Sequence, residues 1–121
     1  MQQNRDPYEA LAEHYLLARG LTLLDRNYAC RSGEIDLIMQ HQQTVVFIEV
    51  RFRKTSTFGS GLESVSSKKQ IKLIKTANNY LLKHKHTNNI SYRFDIVSMS
   101  KDNDCQAITY DWVQNAIEQH Y

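Results

Sequence analysis

The chain has 121 residues, 41% apolar and 23% charged, with a formal charge of +2. That length suits one domain, residues 1–121, with a real core but no room for a second. The composition is ordinary for a soluble globular protein. No apolar run is long enough for a membrane span, and the opening MQQNRDPYEA lacks the apolar stretch of a secretory signal, so a cytoplasmic protein is expected. Cys30 and Cys105 form no CxxC and have no histidine at zinc-like spacing, which reads as two reduced thiols, with a pairing between them as the alternative.

Asp6-Pro7 has the form of a helix start, with Asp as cap and Pro at the first helical position. Ala10, Leu11 and Tyr15 recur at helical spacing and Gly20 is a terminator, so the first helix is expected over 7–19. LTLLDRNY (21–28) reads as a strand and ACRSG as a turn. Strands follow at 34–40 and 45–53, with HQQT between them. The stretch from Lys54 to Ser64, rich in Ser, Thr and Gly, reads as a loop. Ser66 or Ser67 can cap a long helix to about Lys85, with Ile71, Ile74, Asn78, Leu81 and Leu82 inward and lysines on the other faces. SYRFDIVSM (91–99) is a fourth strand, KDND a turn, CQAITY (105–110) a fifth strand, and Asp111 caps a last helix, WVQNAIEQ. The order α-β-β-β-α-β-β-α predicts an α/β or α+β sandwich with a mixed sheet, the long helix making a parallel crossover.

Charge is segregated along the chain. Residues 51–86 hold nine basic residues against one acid, Glu63, a net of +8 that leaves −6 for the rest. A positive face of this kind suits a polyanion, although lysines on a helix also serve simply as a solvated face.

The central feature is GEIDLIMQHQQTVVFIEVRFRK, an apolar hairpin with Asp36 in one strand and Glu49 in the other. By alternation, Glu34, Asp36 and Ile38 share a face, as do Val45, Phe47, Glu49 and Arg51. With HQQT as the connection, paired residue numbers sum to 85 and Asp36 stands opposite Glu49. Two like charges across a ladder repel. A divalent cation would turn that repulsion into coordination, and Mg²⁺ suits carboxylate oxygens, waters and phosphate together. The alternative is that the two acids pair with Arg31, Arg51 or Arg53. Asp95, within an apolar strand, either pairs with an arginine or lies near the metal. His14 and His41 read as surface residues, His84-Lys85-His86 as a helix end, and Trp112 with Val113 and Ala116 as a core anchor.

An aspartate followed by Glu-x-Lys on a β-hairpin is the core of the PD-(D/E)xK nuclease superfamily, and this chain resembles its YraN-like branch of bacterial proteins along nearly its whole length. EALAEHYLLARGL, RNYACRSGEIDLI, VVFIEVRFRK, SSKKQIKLIKTANNYL, YRFDIVSM and WVQNAI are similar to successive blocks of that family. The resemblance implies a restriction-endonuclease-like fold and a phosphodiesterase dependent on Mg²⁺ or Mn²⁺. It makes Asp36 and Glu49 metal ligands and Glu9, on the first helix, a further one. Arg51 stands where the motif has lysine. Arginine stabilises phosphate charge but cannot act as a base, and Lys69 at the head of the long helix is the candidate substitute. Arg51, Arg53, Lys54, Lys68, Lys69, Gln70 and Lys72 would face nucleic acid, with DNA the expected polymer. Many such nucleases work as homodimers, and the sequence leaves that open. Two other functions stand beside endonuclease: a non-catalytic nucleic-acid-binding protein on the same fold, and an adaptor whose basic helix meets an acidic protein.

Overall fold

The computed structural model describes residues 5–53, 65–84 and 91–117. Helix α1 (Pro7–Leu17) starts as the sequence predicts: the Asp6 carboxylate accepts the N–H groups of Tyr8 and Glu9 at 2.8 and 3.3 Å, and Pro7 opens the first turn. Gly20, at φ +96°, releases the chain into β1 (Leu21–Cys30). β2 (Gly33–His41) and β3 (Thr44–Arg53) follow. Helix α2 (Ser67–Lys83), capped by the Ser66 hydroxyl on the Lys69 N–H at 3.1 Å, leads to β4 (Ser91–Lys101) and β5 (Ile108–Val113).

The five strands lie in chain order, β1-β2-β3-β4-β5, antiparallel throughout except for the parallel pair β3–β4. This is the expected mixed sheet of an α/β domain, with α2 as the crossover that a parallel pair requires. β3 alternates cleanly. Val45 and Phe47 pack with Leu73, Ala77 and Tyr80 of α2, whereas Val46 and Ile48 pack with Ala12 and Leu16 of α1. The helices therefore cover opposite faces of one sheet, each over its own apolar layer.

Several boundaries and faces differ from expectation. β1 runs on to Cys30 and turns through Arg31 and Ser32, because its ladder with β2 continues to Cys30↔Gly33. In α2 the buried side is Leu73, Thr76, Ala77, Tyr80 and Leu81; Ile71 and Leu82 are exposed, at 53% and 70%, and Asn78 is exposed as well. The sequence carries two apolar stripes on this helix, and the one that won is continuous at i, i+4, i+7 and i+8, without an amide in its centre. The loop from Lys54 to Ser64, together with Lys85 and His86, lies outside the described residues.

The last helix is the largest correction. Asp111 does not cap a helix; Asp111, Trp112 and Val113 belong to β5, paired with Ser98, Val97 and Ile96. Ile108, Tyr110 and Trp112 alternate onto the α1 layer, and Tyr110 stacks on Tyr15 with centroids 4.3 Å apart. Covering the open edge of β4 with a ladder outweighs the local helical pattern of WVQNAIEQ. The fifth strand thus begins at Ile108, not Cys105, and Asn115, at φ +54°, turns the chain away.

Asp95 holds this corner together. It is 1% exposed, and its carboxylate accepts from Arg93 at 3.0 Å, from Trp112 Nε1 at 2.9 Å and from the Asn115 N–H at 2.9 Å. Its oxygens are taken by Arg93, by Trp112 of β5 and by the Asn115 N–H just past that strand, the arginine pairing that the sequence offered as one alternative. Arg93 also donates to His41 Nδ1 at 2.9 Å, so His41 is a partner in this network, not the surface residue expected. Removing one member of a buried ion pair typically costs about 3–5 kcal/mol. Asp95→Ala is expected to lower stability by about that amount in urea unfolding, and Trp112→Phe, which deletes one donor, by only about 1 kcal/mol.

Candidate metal and phosphate site

Four elements each deliver one charged residue to the end of the hairpin away from its turn: Glu9 from α1, Asp36 from β2, Glu49 from β3 and Lys69 from α2. The tight turn at Gln42-Gln43, with Gln42 at φ +57°, sets the register His41↔Thr44 through Leu37↔Ile48, and each of these pairs sums to 85 as expected. The ladder ends there. Asp36 and Glu49 come immediately past the last rung, and the Asp36 carboxylate takes the Val50 N–H at 2.9 Å. The acids sit where the strands stop pairing, not across a closed rung.

Strict alternation also fails at Asp36. Leu37 and Met39 pack with α1 and Ile38 with α2, but Ile35 packs with α2 as well. The expected common face of Glu34, Asp36 and Ile38 is therefore broken. β1 slips in step: Arg26 reaches Glu13 of α1, while Tyr28 stands edge-on to Tyr80 of α2. Asn27, between them at φ +48°, is where the phase changes.

Asp36 is electrostatically unusual. Burial pushes its carboxyl up to about 8; the Val50 N–H opposes this, and the charges of Glu49 and Glu9 add to the rise, as does a hydrogen bond with Glu9. The shift favours the protonated form of this carboxyl at neutral pH. Glu9 in turn accepts from Asn27 Nδ2 at 2.8 Å. Glu49, only 8% exposed, is ion-paired with Lys69. Its partner is the helix lysine expected to stand in for the motif lysine.

Among the described residues no three Asp, Glu, His or Cys side chains form a ready-made metal cage. A hard cation that keeps most of its waters needs only one or two carboxylates and takes phosphate as a further partner. Asp36 and Glu49, just past the end of the ladder, are two carboxyl groups of the kind such an ion uses. They do not suit zinc, which favours nitrogen and sulfur donors.

Arg51 lies on the strand face of Glu49, half-buried beside Ser98 of β4, and Arg53 is half-buried beside Ser100. Lys68 and Lys72 are exposed on α2, and Lys72 passes close to Gly33. Gln70 turns back, donating from Nε2 to the Val65 carbonyl at 3.1 Å. Lys54 lies outside the described residues. An open groove of about 740 Å³ runs beside Glu9, between the start of α1 and β1, and Leu24, Arg26 and Asn27 line it. Sequence reasoning missed Asn27 and Glu13. Glu13 is buried, held by Arg5 and by both ends of the Arg26 guanidinium at 2.7 and 2.9 Å; the Arg26 hydrogen bonds hold its carboxyl below the usual range. Its only sequence signal is an acid on the inner stripe of the first helix.

A mixed-sheet domain with clustered carboxylates and a lysine at the mouth of its central hairpin is the class defined here. The chain belongs to the uncharacterised protein family UPF0102, the YraN-like family, whose profile matches residues 8–99. It is 43% identical to a UPF0102 protein of Vibrio parahaemolyticus over 98% of this chain and 94% of that one. It is 45% identical to a UPF0102 protein of Saccharophagus degradans (89% and 86% covered) and 46% identical to one of Coxiella burnetii (93% and 90%).

The raised carboxyl has a consequence for stability. Unfolded Asp36 titrates near 3.8 and folded Asp36 near 8, so between these values the folded state binds the extra proton. Stability contributed by this group therefore falls as pH rises through that window. Thermal unfolding of metal-free protein is expected to show this decline, and Asp36→Asn to remove it. Saturating Mg²⁺ is expected to restore stability at the alkaline end.

Proposed function

We propose that this protein is a Mg²⁺-dependent endonuclease that hydrolyses DNA phosphodiester bonds, with branched or damaged DNA as its substrate, acting in the cytoplasm. The observation that carries this reading is that Asp36 feels the charges of Glu49 and Glu9 while Glu49 is ion-paired with Lys69, in a chain whose residues 51–86 carry a net charge of +8.

Asp36 and Glu49 would hold the ion and Glu9 would close its shell. The ion supplies charge neutralisation at the phosphate and a more acidic water. The chain's own groups do the rest. Lys69 would stand in for the motif lysine, a reading supported by its ion pair with Glu49. Arg51, on the same strand face, offers a planar fork of donors to phosphate oxygens but takes up no proton. Lys68, Lys72, Arg53 and Lys54 supply sequence-independent phosphate contacts. A second reading, a non-catalytic nucleic-acid-binding protein, is favoured by one feature, Arg51 in the motif lysine position.

The deciding experiment incubates the protein with Mg²⁺ or Mn²⁺ and labelled single strands, duplexes, flaps, four-way junctions and structured RNA. Cleavage by the wild type and none by Glu49→Gln is the expected result. Binding to every substrate without cleavage by the wild type would transfer the conclusion to the non-catalytic reading. Lys69→Met is expected to lower the cleavage rate by about 100-fold, comparable to removing one preorganised donor, while metal binds at least as tightly because its competitor for Glu49 is gone. Lys68→Ala with Lys72→Ala should flatten the plot of log affinity against log salt by about two phosphate contacts. An unchanged slope would remove this helix face from the nucleic-acid surface.

A further inference from the structure

Asn27 has no role in the readings above, yet it touches the site twice. Its backbone, at φ +48°, stands inside β1 with paired residues on both sides, Arg26↔Leu37 and Tyr28↔Ile35. By count it stands opposite Asp36, and these two positions are missing from the ladder. In a regular strand, residues two apart share a face. Here Arg26 and Leu37 belong to the α1 side, and Tyr28 and Ile35 to the α2 side. One left-handed residue therefore reverses the phase of two strands and leaves Asp36 at a seam between the layers. Asparagine tolerates that conformation better than most residues with a Cβ. Its side chain then performs a second task, donating Nδ2 to Glu9 Oε1 at 2.8 Å. Glu9 is also one of the two carboxylates whose charge acts on Asp36.

Resting on the metal-dependent reading above, we propose that Asn27 is a positioning residue for the metal site: its amide fixes the Glu9 carboxylate toward Asp36, so that the shell is closed by α1 and not by solvent. The backbone turn and the amide are separable contributions. A ligand released from its outer hydrogen bond typically loses about 10- to 100-fold in metal affinity.

The test measures Mn²⁺ binding by calorimetry and by the paramagnetic signal of free Mn²⁺, with thermal unfolding alongside. Asn27→Gly keeps the left-handed backbone and removes only the amide. It is expected to unfold near the wild-type temperature and to bind Mn²⁺ about 10-fold more weakly, with cleavage recovering at higher Mn²⁺. Asn27→Asp, which sets a carboxylate against Glu9, is expected to lose the amide's donation too. On a Glu9→Ala background, Asn27→Gly should change Mn²⁺ affinity no further, because its effect passes through Glu9. Wild-type affinity in Asn27→Gly, or an equal loss on the Glu9→Ala background, would overturn the proposal while leaving the nuclease reading intact. A wild-type protein that binds no Mn²⁺ would overturn both.

Discussion

The structure turns on the point where the β2–β3 ladder stops. Past Leu37 and Ile48, the Val50 N–H is taken by the Asp36 side chain instead of a backbone carbonyl. A buried N–H must be satisfied, and satisfying it with a carboxylate places an ionisable group where the strands part. Glu49 then lies on the facing strand, and two acids share a partly buried space. Burial and the charges of Glu49 and Glu9 push the Asp36 carboxyl toward its neutral form, and the Lys69 ammonium of the second helix pairs with Glu49.

The two-layer architecture makes this convergence feasible. α1 and α2 lie on opposite faces of the sheet, yet each reaches the same spot, because the phase change at Asn27 and Asp36 opens a seam between the layers. The Glu13 pairing with Arg5 and Arg26 ties α1 to β1 close by, which limits how far Glu9 can drift. Toward the other end of the sheet, Asp95 ties Arg93, Trp112 and Asn115 together, and Arg93 reaches His41 at the hairpin turn. The rigid rungs lie between these two polar clusters, so the hairpin works as a strut that holds the acids at one tip.

Much of the site was legible from residue spacing. The sum of 85 for the hairpin pairs follows from the apolar pattern and turn length, both local properties, and it located Asp36 beside Glu49. Lys69 as a neighbour of that pair came from the resemblance and from the position of the helix start. What misled was also local. WVQNAIEQ carries a helical pattern and an aspartate cap, but the open edge of β4 captured it as strand. The α2 stripe containing Asn78 competed with a purer one that begins two residues later, and packing chose between them.

The sequence by itself determined the order of most elements, the register of the central hairpin and the family to which the chain belongs, because turn chemistry, capping and alternation act over a few residues. Only the tertiary structure decided which face of α2 is buried, the pairing of β5, the phase slip at Asn27 and the meeting of Glu9 with Asp36. Each of these depends on groups distant in the chain competing for the same edge, layer or hydrogen bond, and that competition is resolved by burial and charge in three dimensions.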